Sequence, residues 1–305
     1  MSWQFAAELA RYGPTHTGTD AMPSLTEARA YCRYVARCHY ENFSVATLLL
    51  PRRLHPHFHA VYAYCRWSDD LADETGDSGL TLLHWWRAEF LNSESIHPVM
   101  VALRATTQQF AIPPGPFLNL LTAFEHDQSV KRYATFADVL AYCANSANPV
   151  GRLVLHLFDC ANDTTVALSD EICTGLQLAN FWQDVQRDND IGRVYLPQDE
   201  MANYGVSDAD IAAGNAHAGY TDLVEALVDR TWGYFRRGAA LLPMLAPECR
   251  PTVELFLRGG EATLRAIELN DYDTLSSRPT VGKLAKLRLL GSAWLRSAFH
   301  RRVKP

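Results

Sequence analysis

Two groups of carboxylates stand out for their spacing. The first is Arg66-Trp67-Ser68-Asp69-Asp70-Leu71-Ala72-Asp73-Glu74, which closes an apolar stretch that includes Ala60-Val61-Tyr62-Ala63-Tyr64. On a helix Asp69 and Asp73, four apart, share one face, and Asp70 lies about 100° round. Like charges at that spacing repel by a few tenths of a kcal/mol, and Asp is a poor helix former. A sequence that accepts both costs is better understood if a cation sits between the carboxylates. The second group lies in Gln177-Leu178-Ala179-Asn180-Phe181-Trp182-Gln183-Asp184-Val185-Gln186-Arg187-Asp188. Here Asn180, Asp184 and Asp188 fall at i, i+4 and i+8, one polar stripe on an otherwise aromatic and aliphatic helix. Hard oxygen donors of this kind suit Mg²⁺, which keeps several waters and is shared with substrate phosphates. Two such stripes facing each other across a helical bundle would hold a diphosphate through bridging Mg²⁺. The metal would act as a Lewis acid on the departing group.

Helices must position these residues, and the apolar pattern supplies them. Ser24-Leu25-Thr26-Glu27 is a capping box opening a helix to about residue 40. Pro56, Pro98, Pro116 and Pro149 each suit a first helical turn, where a missing N–H does no harm. The pattern predicts further helices near 56–75, 79–93, 98–111, 116–130, 136–147, 149–158, 169–189, 220–245, 251–271 and 281–300. No alternating strand, internal repeat or long linker interrupts them. The expectation is an all-α chain, one domain over residues 1–305.

Composition narrows the function classes. A net charge of −6 gives no basic excess of the sort nucleic-acid binders carry, so no nucleic-acid partner is expected. Seven cysteines, an odd number with no C-x-x-C pair, read as reduced thiols. The N-terminus shows no basic segment followed by an apolar one, so no secretory signal is expected. No run reaches the ~18 apolar residues of a membrane span. The expected location is the cytoplasm, with peripheral contact at the inner membrane through the basic, leucine-bearing segment Lys283–Lys304.

With both carboxylate groups in place, the sequence resembles the squalene/phytoene synthase family. The resemblance is carried by Tyr62-Ala63-Tyr64-Cys65-Arg66-x-x-Asp69-Asp70-x-x-Asp73, by Gln177-Leu178-x-Asn180-x-x-x-Asp184-x-x-x-Asp188, and by Gly192-Arg193-Val194-Tyr195-Leu196-Pro197. Asn270-Asp271-Tyr272-Asp273 adds to it. The family implies an isoprenoid-synthase helical bundle around a central apolar cavity. It further implies that Asp69, Asp70, Asp73, Asn180, Asp184 and Asp188 organise Mg²⁺, that Arg66 and Arg193 contact the diphosphate, and that Tyr195 lies beside it. Phe43, Phe181 and Trp182 are candidates for an aromatic wall facing a carbocation.

Finer features, Glu41-Asn42-Phe43-Ser44, Ser146-Ala147-Asn148-Pro149-Val150-Gly151-Arg152 and Asn180-Phe181-Trp182-Gln183-Asp184-Val185, are similar to the bacterial hydroxysqualene synthase branch. That branch ionises presqualene diphosphate and traps the rearranged cation with water, in squalene and hopanoid biosynthesis, so no NADPH is expected. Pathway enzymes on either side of the reaction are the expected partners. Condensing relatives, which join two farnesyl or geranylgeranyl diphosphates head to head, often carry Arg where this chain has Gln183. They also tend to carry Tyr in the helix that here reads Arg258-Gly259-Gly260-Glu261. One diphosphate needs fewer cations than two. The run His55-Pro56-His57-Phe58-His59 reads as a solvated helix start rather than a metal site. Glu94-Ser95-Ile96-His97 lacks the second copy a di-iron bundle needs.

Overall fold

The computed structural model describes residues 3–16, 21–39, 50–282 and 291. Among these the regular structure is entirely helical, as expected. Two compact units meet in the chain between Ser129 and Val130.

The first unit holds α1 (Phe5–Tyr12), α2 (Leu25–Cys38), α3 (His55–Asp73), α4 (Gly79–Leu91), α5 (Pro98–Gln109) and α6 (Gly115–Asp127). The Ser24–Glu27 capping box forms as read, the Ser24 side chain accepting from the Glu27 N–H. Around α3 pack α2, α4, α5 and α6. That explains why α3 is apolar on nearly all sides: Phe58, Ala60, Ala63, Tyr64, Trp67 and Leu71 are all buried. Trp67 and Trp86 stack at 5.2 Å between centroids, and the Trp86 indole donates to Ser68 Oγ at 3.1 Å. Helix α1, which the sequence reading did not anticipate, covers this cluster with Phe5, edge-on to Trp67 at 5.2 Å.

The second unit holds α7 (Phe136–Ser146), α8 (Asn148–Leu157), α9 (Asp163–Gln183), α10 (Val185–Asp190), α11 (Gln198–Asn203), α12 (Asp208–Ala212), α13 (Ala218–Gly238) and α14 (Arg250–Glu268). Here α9 takes the central place, packed by α7, α8, α13 and α14. Small residues let the helices close on it. A Cβ on Gly151 would meet Ser169 Oγ at 2.4 Å, and one on Gly260 would meet Phe235 at 2.4 Å. The space beside position 260 is therefore filled by Phe235, which leaves no room there for a larger side chain. The Asn148–Arg152 stretch serves the same contact, since Thr174 Oγ1 donates to Asn148 Oδ1 at 3.0 Å and Arg152 Nε donates to Asp170 at 3.0 Å.

Three expectations change. The helix read over 169–189 begins at Asp163, on an Asn162 capping box, and breaks at Asp184, whose φ of −107° and ψ of 18° are not helical. His57 is no solvated terminus: it is buried, with Nδ1 paired to Thr106 Oγ1 at 3.0 Å. The short helices α11 and α12 fall where no long apolar period could signal them. Glu41–Ser44 and the segment read as a helix over 281–300 lie outside the described residues, except Gly282 and Gly291 of the latter together with Val281. No helix among the described residues is long and apolar enough to cross a membrane.

Candidate active site

Each carboxylate group closes the central helix of its unit. On α3, Asp69 and Asp73 reach solvent from one face, Asp69 with its side chain 40% exposed. Asp70 turns the other way and is fully buried. It accepts from Arg66 and, at 2.9 Å, from the Trp3 indole. Arg66 also pairs with Asp69 at 3.0 Å and reaches Glu74 at 3.7 Å. Burial pushes the Asp70 carboxyl up to about 6, against the opposing pull of its Arg66 and Trp3 hydrogen bonds. The structure thus separates Asp70 from the expected metal-facing set. Its side chain has no exposed oxygen, and its visible work is to hold Arg66.

On the second unit, α9 delivers Asn180, exposed, and ends at Gln183; α10 delivers Asp188. The backbone bonds Asp184 N to Asn180 O (3.0 Å) and Asp188 N to Asp184 O (2.9 Å) carry helical spacing across the break. The polar stripe therefore survives, with Asp184 at its hinge. Arg278 lies on Asp184, its Nη2 donating to Oδ2 at 3.1 Å and to Gln183 Oε1 at 3.2 Å. Gln183 Nε2 in turn donates to the Pro279 carbonyl at 2.7 Å. Asp188 is pushed up to about 7, first by burial and then by the charge of Asp184, with Arg193, Arg187 and Arg278 opposing. A divalent cation beside Asp188 would favour its ionised form.

Arg193 and Tyr195 follow α10. A left-handed turn at Gly192 (φ 79°) and the bond from Arg193 N to Asp188 O at 2.8 Å fold the segment back. The bond from Val194 N to Lys131 O at 3.0 Å then fixes it. Tyr195 is 8% exposed and lies flat on Phe181, centroids 3.8 Å apart and planes 8° apart, with Tyr133 and Tyr142 beside it. Trp182 points elsewhere. It is fully buried and donates to Thr231 Oγ1 at 2.9 Å, so it belongs to the core and not to an aromatic wall.

Arg278 is the site residue that sequence reading missed. What brings it in is the Asn270–Asp273 turn after α14, where Asp271 and Tyr272 take φ of 51° and 59°. Asp273 Oδ1 then caps the amides of Leu275 and Ser276 at 3.1 and 2.8 Å. The motif residues thus build a return of the chain.

Mg²⁺ fits this donor chemistry. Asp69 and Asp73 on one helix, and Asn180, Asp184 and Asp188 on the other segment, are hard oxygen donors. Among the described residues no three His, Cys, Asp or Glu side chains converge into a self-sufficient metal cage. An ion that keeps waters and takes phosphate oxygens needs no such cage.

Residues 36–285 match the squalene/phytoene synthase family profile. The solved structure of squalene synthase HpnC from Alicyclobacillus acidocaldarius superposes with a TM-score of 0.79 at 39% identity, covering 81% of this chain and 95% of that one. Hydroxysqualene synthase of Rhodopseudomonas palustris is 35% identical over 195 residues, 63% of this chain and 66% of the relative. Phytoene synthase 3 of Zea mays is 29% identical over 305 residues, 95% of this chain and 72% of the relative. The chain belongs to the squalene/phytoene synthase family, enzymes that act on prenyl diphosphates.

Proposed function

We propose that this chain is a hydroxysqualene synthase, converting presqualene diphosphate and water into hydroxysqualene and pyrophosphate, and that its two units act as one catalytic domain. The observation that carries the reading is Gln183. It stands where condensing relatives often have arginine, and both ends of its amide are engaged, by Arg278 and by the Pro279 carbonyl. An arginine there would crowd a second guanidinium against Arg278 and Asp184. That charge suits an enzyme holding two diphosphates better than one holding a single one. The similarity to the Rhodopseudomonas enzyme supports the same choice.

In this reading Asp69, Asp73, Asn180, Asp184 and Asp188 hold Mg²⁺, which when bound neutralises charge on the departing diphosphate. Asp70 anchors Arg66, so that its guanidinium is pre-oriented for a phosphate oxygen. Arg193 and Arg278 would supply further donors to the diphosphate. Tyr195, flat on Phe181, presents its hydroxyl beside the leaving group. No NADPH is used, and the membrane-soluble substrate is met at a membrane surface. A condensing prenyltransferase supplies the substrate and a reductase consumes the product.

Head-to-head condensation of prenyl diphosphates is the second reading, favoured by the near full-length match to phytoene synthase. The proposal is tested by pyrophosphate release from presqualene diphosphate. Release should require Mg²⁺, stop on chelation, and fall by at least about 100-fold in D69N and D184N. Undiminished release in both variants would sink the assignment of these carboxylates.

A further inference from the structure

Trp3 stands just ahead of α1 and touches the carboxylate that holds Arg66. Its place is set by its neighbours. Phe5, buried edge-on against Trp67, ties the head of the chain to α3. The Trp3 ring lies against Phe5, Tyr34 and His39, with centroids 6.4, 6.0 and 5.2 Å away. From there its indole N–H donates to Asp70 Oδ2 at 2.9 Å, while Arg66 Nη2 donates to the other oxygen, Oδ1. One buried carboxylate is therefore shared between two donors from different parts of the chain. Arginine and carboxylate otherwise favour a fork of two parallel bonds. Arg66 has a free prong for it, since its Nε is buried without a partner. The fork through Nη2 and Nε needs Oδ2, the oxygen that Trp3 holds. Arg66 instead keeps one bond to Asp70 and turns Nη1 outward, to Asp69 at 3.0 Å.

We propose that Trp3 is a positioning residue for the diphosphate: by occupying Asp70 Oδ2, its indole N–H keeps the Arg66 guanidinium from closing on Asp70 and leaves it turned toward phosphate. The inference rests on the reading that Arg66 contacts the diphosphate. Without the indole N–H, Oδ2 becomes a buried carboxylate oxygen with no donor, which is costly to leave unpaired. Arg66 Nε is a buried donor with no acceptor, on the residue already bonded to that carboxylate. Closing the fork satisfies both atoms at once. The loss then falls on phosphate binding and not on the fold, because the guanidinium is drawn inward. Trp3 itself touches no substrate in this account; it acts through Asp70 on Arg66.

The test titrates the full chain, in Mg²⁺, with inorganic pyrophosphate by isothermal titration calorimetry, so that it does not depend on which prenyl diphosphate is turned over. W3F keeps an aromatic ring against Phe5, Tyr34 and His39 but has no donor. It should bind pyrophosphate about 3- to 10-fold more weakly than wild type, with native circular dichroism. W3A, if its circular dichroism is native, should match W3F within about twofold. R66Q should lose at least about 10-fold, and W3F/R66Q should stay within about twofold of R66Q, because Trp3 acts through Arg66. If packing of the ring were its whole role, phenylalanine would rescue it: W3F would bind as wild type and W3A alone would weaken. That result overturns the proposal, and so do W3F and R66Q losses that add. R66Q weakened with W3F unchanged removes Trp3 alone, whereas R66Q binding as wild type removes the Arg66 reading with it.

Discussion

The Arg278 guanidinium lies along the Asp184 carboxylate, Nη2 to Oδ2 3.1 Å, across 94 residues of chain. A cation of the protein itself thus occupies a carboxylate assigned here to Mg²⁺. Removing it has two consequences of opposite sign. R278A frees Asp184, so half-saturation with Mg²⁺ should fall to lower concentration. The same change removes a charged donor for the diphosphate, so kcat/KM should drop by about 10–100-fold, the worth of one charge-assisted hydrogen bond. Steady-state kinetics at graded Mg²⁺ reads both.

Gln183 gives a second prediction. In Q183R the Gln183 Oε1 acceptor for Arg278 is lost and two guanidiniums contend for Asp184. Turnover of presqualene diphosphate should fall several-fold. Initial rates of pyrophosphate release check this, and unchanged turnover would remove Gln183 as an argument for the single-diphosphate reading.

Tyr195 separates hydroxyl from ring. Y195F keeps the stack on Phe181 and should lose no more than about 1.5 kcal/mol of stability, with turnover reduced. Y195A loses the ring as well and should lose about 3 kcal/mol or more of stability. Urea denaturation beside the rate assay distinguishes the two.

His97 predicts a pH dependence of stability. Burial among Trp67, Trp86 and Tyr12 pushes it down to about 3 from an ordinary 6.5. Its Nδ1 meanwhile accepts the Val99 N–H at 3.2 Å. Between those pH values the unfolded chain binds the proton and the folded one does not. Stability is therefore fully kept above about 6.5 and declines as pH falls, by up to about 1.4 kcal/mol per unit from this group. H97N keeps an acceptor at the same helix start but does not titrate. Its urea midpoint should fall less than wild type between pH 7 and 5.

Much of this was legible in the chain, for local reasons. Capping boxes and prolines marked helix starts because both act within one turn, and the Asp spacing marked one face because helical geometry repeats. What stayed hidden depends on distant partners. Asp70 looked like a third ligand until Trp3 and Arg66 were seen to hold it inward. Trp182 looked like a wall residue until Thr231 gave its indole a partner in the core. Arg278 could not be assigned at all, because nothing near residue 278 shows that the Asn270–Asp273 turn returns it to Asp184. The break at Asp184 was likewise invisible to a periodicity that continues through it.

The central claim is that one prenyl diphosphate already joined, and not two waiting to be joined, is the substrate. The direct measurement incubates the protein with Mg²⁺ and no NADPH, once with presqualene diphosphate and once with farnesyl diphosphate, and identifies the products. Hydroxysqualene and pyrophosphate from the first, with no product from the second, is the predicted result; turnover of farnesyl diphosphate alone would contradict it.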